Sequence, residues 1–148
     1  MIRDEKILIT GITGMVAEPL AGALAQDNEV WGVARFANPE ARIALEEAGV
    51  TTRALDLGAP DFSDLPADFT YVLHLGWMRA GLSELQAALR TNVEGPGLLF
   101  QHCRRAKATL VMSGMGVYSP HPDPWHAYTE TDPIGRAATA YAPTSPAS

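Results

Sequence analysis

The sequence predicts an α/β fold: a doubly wound parallel sheet with strand order 3-2-1-4-5. Three observations predict it. Between Lys6 and about Leu110, short apolar runs alternate with segments whose apolar residues recur at helical spacing. Strands alternating with helices pair in parallel through right-handed crossovers. A glycine turn, Gly11-Ile12-Thr13-Gly14-Met15-Val16-Ala17, sits where the first strand would hand over to the first helix. The 148 residues suit one domain, and a composition of 47% hydrophobic and 19% charged residues can supply its core.

Lys6-Ile7-Leu8-Ile9-Thr10 is the first strand, apolar enough to be covered on both faces. After the glycine turn, Val16, Leu20 and Leu24 recur every four residues, with Ala17 and Ala21 alongside, and predict a helix with one apolar stripe, Pro19 lying near its start. Asp27-Asn28 breaks it, and Glu29 to Ala34 is the second strand. Pro39 to Ala48 is helical, with Gly49 as its stop. Val50 to Leu55 forms the third strand, on the strength of its β-branched residues. Pro60 and Pro66 make Gly58 to Ala67 mostly loop. Phe69 to Leu75 is the fourth strand, Leu82 to Arg105 a long helix interrupted near Gly95-Pro96-Gly97, and Thr109 to Ser113 the fifth strand. Beyond Ser119 the texture changes: six of the eleven prolines fall between Pro120 and Pro146, which predicts a long irregular connection.

Charge and composition exclude several functions. The net charge of −6 disfavours nucleic acid and anionic membrane surfaces as partners. No apolar run reaches the ~18–20 residues of a membrane span, and the mixed-charge start Met1-Ile2-Arg3-Asp4-Glu5-Lys6 lacks the pattern of a secretory signal. A lone cysteine, Cys103, suits a reducing cytoplasm. His121, Asp123 and His126 lie close together, but their spacing matches no zinc pattern, so no metal is assigned.

The glycine turn points to a dinucleotide. A parallel sheet directs the amino end of the first helix at whatever lies above the first strand, and unpaired helix N–H groups favour a phosphate there. Gly11 and Gly14 let the backbone approach a pyrophosphate, Thr13, Met15 and Val16 complete the loop around it, and Ala17 keeps the helix near the sheet. The competing reading is a tight turn and nothing more. The second strand ends Val33-Ala34-Arg35, with Arg42 further on, where NAD enzymes usually carry an acid. A guanidinium suits a 2′-phosphate, so NADP(H) is favoured over NAD(H), unless Arg35 is a solvated loop residue. Asp56-Leu57, after the third strand, borders the adenine or forms a plain turn. His74 reads as a packed, hydrogen-bonded residue rather than a catalyst, and Trp77 and Met78 as either pocket lining or packing.

These residues resemble the extended short-chain dehydrogenase/reductase family of the NAD-dependent epimerase/dehydratase type. The likeness rests on Gly11-x-x-Gly14-x-x-Ala17, Asp56-Leu57, His74-Leu75-Gly76, Asn92-Val93-Glu94-Gly95 and the Val111 to Tyr118 segment, in family order. It implies a Rossmann-type domain over residues 1–118, with Leu75, Gly76 and Asn92 joining the cofactor site, and a Pro-rich active-site loop leading into the catalytic helix over 119–148. It also implies hydride transfer at an alcohol or carbonyl carbon, of a nucleotide sugar for example, and a homodimer as the assembly to test. In the family a Ser or Thr and the Tyr of Y-x-x-x-K share the chemistry. The tyrosine here is Tyr141, but four residues beyond it stands Ser145, and no tyrosine of the chain has lysine at that spacing. The family's hydroxyl position falls on Gly114; Ser113, one earlier, serves only if the strand has already ended. An unassisted tyrosine keeps a pKa near ~10, so poor catalysis is expected. The substrate lobe of the family is absent, which reads as C-terminal truncation. The alternatives are a non-catalytic dinucleotide sensor or interaction module, or a fragment without function of its own.

Overall fold

The computed structural model describes residues 2–135. Five parallel strands, β1 (Lys6–Thr10), β2 (Glu29–Ala34), β3 (Thr51–Ala54), β4 (Tyr71–His74) and β5 (Ala108–Val111), form one sheet in the order β3-β2-β1-β4-β5. That is the predicted order, and β2 has the predicted bounds. The third, fourth and fifth strands are shorter than predicted, because ladder pairing stops where the chain turns out of the sheet.

β1 is central, and its alternating side chains feed two cores. Ile7 and Ile9 pack with Ile12, Ala17, Ala21 and Leu45 beneath α1 (Ala17–Ala25) and α2 (Pro39–Glu47). Leu8 points the other way, into a core with Phe69, Val72, Leu99 and Cys103. Both faces of a parallel sheet must be covered, and here they are.

α1 turns only part of the predicted stripe inward. Its buried residues are Ala17 and Ala21, whereas Val16 and Leu20 are exposed. The two alanines take the innermost positions against the sheet, and Leu24 packs partly buried beside them. α2 begins as expected: the Asn38 side chain accepts the Glu40 N–H at 3.0 Å and Pro39 occupies the first turn. It ends at Gly49, whose φ of +86° is left-handed.

The long helix runs through Gly95-Pro96-Gly97 rather than breaking there. A 3₁₀ turn (Leu82–Glu84) leads into α3 (Leu85–Leu89), a π-helical turn (Arg90–Glu94) and α4 (Gly95–His102). Proline lacks an N–H and crowds the carbonyl four residues back. The wider turn just ahead of Pro96, with the Gly95 N–H donated to Arg90 O, relieves that conflict. β5 is an edge strand exposed along its whole length. Among the described residues no helix is long and apolar enough to cross a membrane.

Candidate functional site

The strand order reverses between β1 and β4, and ligands of open α/β sheets bind at that point, beyond the carboxyl ends of the strands. A cleft of about 340 Å³ lies there. Its walls are the glycine turn, the segment Val33–Ala37 at the end of β2, Leu55–Leu57 after β3, Leu75–Met78 after β4 and Thr91 from the helix.

The glycine turn is anchored from below and open above. Gly11 and Ile12 donate their N–H groups to Val33 O, and Gly14 donates to Gly11 O. The N–H groups of Thr13, Met15 and Val16 have no acceptor among the described residues. They are the donors a phosphate would take, while the Met15 and Val16 side chains are exposed. Ile12 is fully buried and holds the turn down: a Cβ at Gly32 would lie 2.5 Å from Ile12 Cγ1.

Gly11 could be no other residue. Its φ is +65°, and a Cβ there would stand 2.4 Å from Gly76 Cα. Gly76 in turn donates its N–H to Thr10 Oγ1 at 3.1 Å. The floor between the first and fourth strands is therefore bare backbone, the surface a diphosphate needs for close approach. By this test the residues present fit a dinucleotide.

At the far end of the cleft, Arg35 is exposed and makes no ion pair among the described residues. Phe36, beside it, has a φ of +48°. Arg42, the second guanidinium considered for a 2′-phosphate, is already committed: it bonds Glu46 and Thr52 at 2.9 Å each and lies over the Phe36 ring. Asp56 forms the turn offered as one reading of it and also stands on the cleft wall. Its Oδ1 accepts the Gly58 N–H at 2.8 Å, closing a turn, and its residue borders the cleft. Leu57 comes next, so near the helix that a Cβ on Gly95 would lie 2.0 Å from Leu57 O.

Leu75, Gly76, Trp77 and Met78 form the remaining wall. Asn92, a cofactor candidate from the sequence, spends both amide atoms on Met78: it accepts the Met78 N–H and donates to Met78 O, each at 2.8 Å. It holds this wall rather than lining it. His74 is 3% exposed, with Nδ1 2.7 Å from Thr10 Oγ1 and its ring edge-on to Phe100. Burial holds its pKa below the usual histidine value. Phe36, Ala37 and Thr91 were not singled out from the sequence. Only Gly32, a glycine inside a strand, signalled a close approach nearby.

The family comparison agrees with this geometry. The NAD dependent epimerase/dehydratase family matches residues 7–144, nearly the whole chain. The chain belongs to that family.

Solved structures with the same fold include a UDP-N-acetylglucosamine 4-epimerase from Methanobrevibacter ruminantium M1 in complex with UDP-N-acetylmuramic acid. It is 21% identical with a TM-score of 0.78, over 95% of this chain and 46% of that one. A UDP-glucuronic acid 4-epimerase mutant from Bacillus cereus, in complex with NAD and UDP-4-deoxy-4-fluoro-glucuronic acid, is 20% identical with a TM-score of 0.73, over 92% and 47%. A short-chain type dehydrogenase/reductase from Mycobacterium ulcerans is 20% identical with a TM-score of 0.55, over 70% and 46%. The chain thus spans about half the length of these structures. No curated protein matches it.

Within this epimerase/dehydratase domain, β5 ends at Val111, so Ser113 stands beyond the strand and is exposed. That meets the condition under which it could act as the hydroxyl. Tyr118 pairs with Ile134 in an isolated antiparallel bridge and stacks on Tyr128 at 5.3 Å, folding the Pro-rich connection back on itself. In that connection the His121 and His126 rings stack at 3.9 Å, and His126 Nε2 meets Asp132 Oδ1 at 2.9 Å. The Thr129 backbone N–H, and then His126, hold the Asp132 carboxyl below its usual pKa. No group of three or more potential ligands is placed to hold a metal among the described residues. Tyr141 and Ser145 lie outside the described residues.

Proposed function

We propose that this chain is the dinucleotide-binding part of an NAD(P)-dependent epimerase/dehydratase or reductase-type oxidoreductase, which transfers hydride at an alcohol or carbonyl carbon of a small molecule, a nucleotide sugar being the leading class. The observation that carries the reading is the glycine cradle. Gly11 and Gly76 leave bare backbone at the switch point, and the Thr13, Met15 and Val16 N–H groups of the adjoining turn have no acceptor among the described residues. These donors and the amino end of α1 would hold the diphosphate. Asp56 and Leu57 would border the adenine, and Leu75 to Met78 the other half of the dinucleotide. Residues 1–118 make up this domain, and 119–148 its active-site loop and the start of the catalytic helix.

NADP(H) is the preferred cofactor in this reading, because Arg35 brings to the end of β2 a guanidinium with no ion pair among the described residues, and a 2′-phosphate would pair with it. A bound nicotinamide supplies the hydride acceptor and donor. The chain's own part in the chemistry is to move the substrate oxygen's proton at the Tyr141 hydroxyl, with Ser113 donating a hydrogen bond to that oxygen. Ser145 in place of lysine leaves the tyrosine without a positive charge to lower its pKa, so turnover is slow.

A second reading, a non-catalytic dinucleotide-binding module, is favoured by Gly114 at the family's hydroxyl position and by Ser145. Fluorescence titration with NADPH and NADH, followed by a turnover assay with carbonyl and nucleotide-sugar substrates, separates the two. Binding with slow turnover that Ser145→Lys accelerates supports the enzyme. Binding with no turnover in either variant supports the module. Absence of binding removes both.

A further inference from the structure

His74 is buried at the end of β4 and takes no part in the chemistry proposed above. Its surroundings make it an expensive choice. The neighbours supplied by β1, β5 and α4 are Thr10, Val111 and Phe100, none of them charged. Its Nε2 is buried with no hydrogen-bond partner among the described residues. A leucine would fill such a place without stranding a polar atom.

The hydrogen bonds around Thr10 indicate what the imidazole does instead. Thr10 Oγ1 lies 2.7 Å from His74 Nδ1 and receives the Gly76 N–H at 3.1 Å. A hydroxyl has one proton to give. With Gly76 donating into its oxygen, the arrangement that uses the Gly76 N–H, the Thr10 hydroxyl and His74 Nδ1 together runs from the Gly76 N–H to Thr10 Oγ1, and from the Thr10 O–H to His74 Nδ1, with Nε2 left unpartnered among the described residues. That fixes His74 as the neutral tautomer with its proton on Nε2. Gly76 is the residue against which Gly11 is packed too closely for a Cβ. Two residues on, Met78 is clasped by Asn92 through two hydrogen bonds.

We infer that His74 is a positioning residue for the dinucleotide cleft: by accepting the Thr10 hydroxyl it orients Thr10 to hold the Gly76 amide, and so sets the height of the Leu75–Met78 wall against the glycine turn. His74 touches no ligand and acts only through Thr10. The wall is pinned at both ends, at Gly76 by Thr10 and His74 and at Met78 by Asn92. This inference rests on the reading of the cleft as a dinucleotide site.

The test compares His74→Leu, which keeps bulk and removes the acceptor, with His74→Asn, whose Oδ1 can take the place of Nδ1. Three quantities are measured: exchange of the Gly76 amide by NMR without ligand, Kd for NADPH and NADH by calorimetry, and Tm. In His74→Leu the Gly76 amide should exchange about tenfold faster and Kd rise about tenfold, with Tm held or raised, because positioning and not packing is lost. His74→Asn should restore both to within about threefold of wild type. A leucine variant that keeps Gly76 protected and binds like wild type would overturn the inference, as would equal losses in both variants. If the wild-type chain binds no dinucleotide, the functional reading fails, and the Gly76 exchange comparison still decides the role of His74.

Discussion

Ile12 occupies the space that a side chain at Gly32 would need: a Cβ built there comes within 2.5 Å of Ile12 Cγ1 and 3.0 Å of Ile12 Cβ. One glycine inside β2 thus lets the glycine turn drive an isoleucine into the core and lie flat above the sheet. Gly32→Ala should therefore destabilise the fold by about 1–3 kcal/mol through overpacking. It should also weaken dinucleotide binding, because the turn has to lift. Urea denaturation and calorimetry check the two parts separately.

Gly11→Ala tests the cradle itself. The left-handed φ and the clash with the Gly76 backbone combine, so a loss of about 1–3 kcal/mol in stability and of about a hundredfold or more in NADPH affinity is expected. Affinity within a few fold of wild type would show that no ligand approaches this backbone closely.

Arg35 should decide between the two nicotinamide dinucleotides. Arg35→Ala is expected to raise Kd for NADPH by about tenfold while leaving NADH nearly unchanged, since only the former offers a phosphate to a guanidinium. Parallel losses for both would mean that Arg35 does not read the 2′ position.

The pH dependence of stability carries the mark of His74. Its folded pKa is depressed below the ordinary 6.5 by burial. Below that value the unfolded chain takes up a proton that the folded chain refuses, so stability is full above about pH 6.5 and declines as pH falls toward the folded pKa. Denaturation midpoints between pH 7.5 and 5 should drop in the wild type and drop less in His74→Leu, the difference isolating this residue from the other histidines.

Cys103 should be inert in the native state. It is buried, and burial pushes its thiol up to about 11, leaving almost no thiolate at pH 8. A thiol reagent should label it only at the rate of unfolding. Rapid labelling of the folded chain would contradict the packing described here.

The alternation of strand and helix patterns was enough to give sheet order, because each β-branched run is bounded by a glycine or Asp-Asn break that physics reads without ambiguity. The faces were harder. In α1 the stripe of Val16, Leu20 and Leu24 with Ala17 and Ala21 alongside was right for the two alanines and for Leu24, which meet the core, whereas Val16 and Leu20 are exposed, because apolar size says nothing about the distance between helix and sheet. Pro96 marked a disturbance, but the chain absorbs it one turn earlier by widening rather than breaking. At the site, Gly11, Gly14, Arg35 and Asp56 were legible from their places after the strands. Asn92, expected in the cofactor site, and Arg42, offered as a second guanidinium there, hold partners that only the folded chain brings to them: Met78 for one, Phe36, Glu46 and Thr52 for the other.

Titration calorimetry of the chain with NADPH and NADH tests the central claim most directly. The expected result is saturable binding of one dinucleotide per chain, tighter for NADPH and weakened about a hundredfold or more in Gly11→Ala. No heat and no protection at dinucleotide concentrations that saturate related enzymes would contradict it.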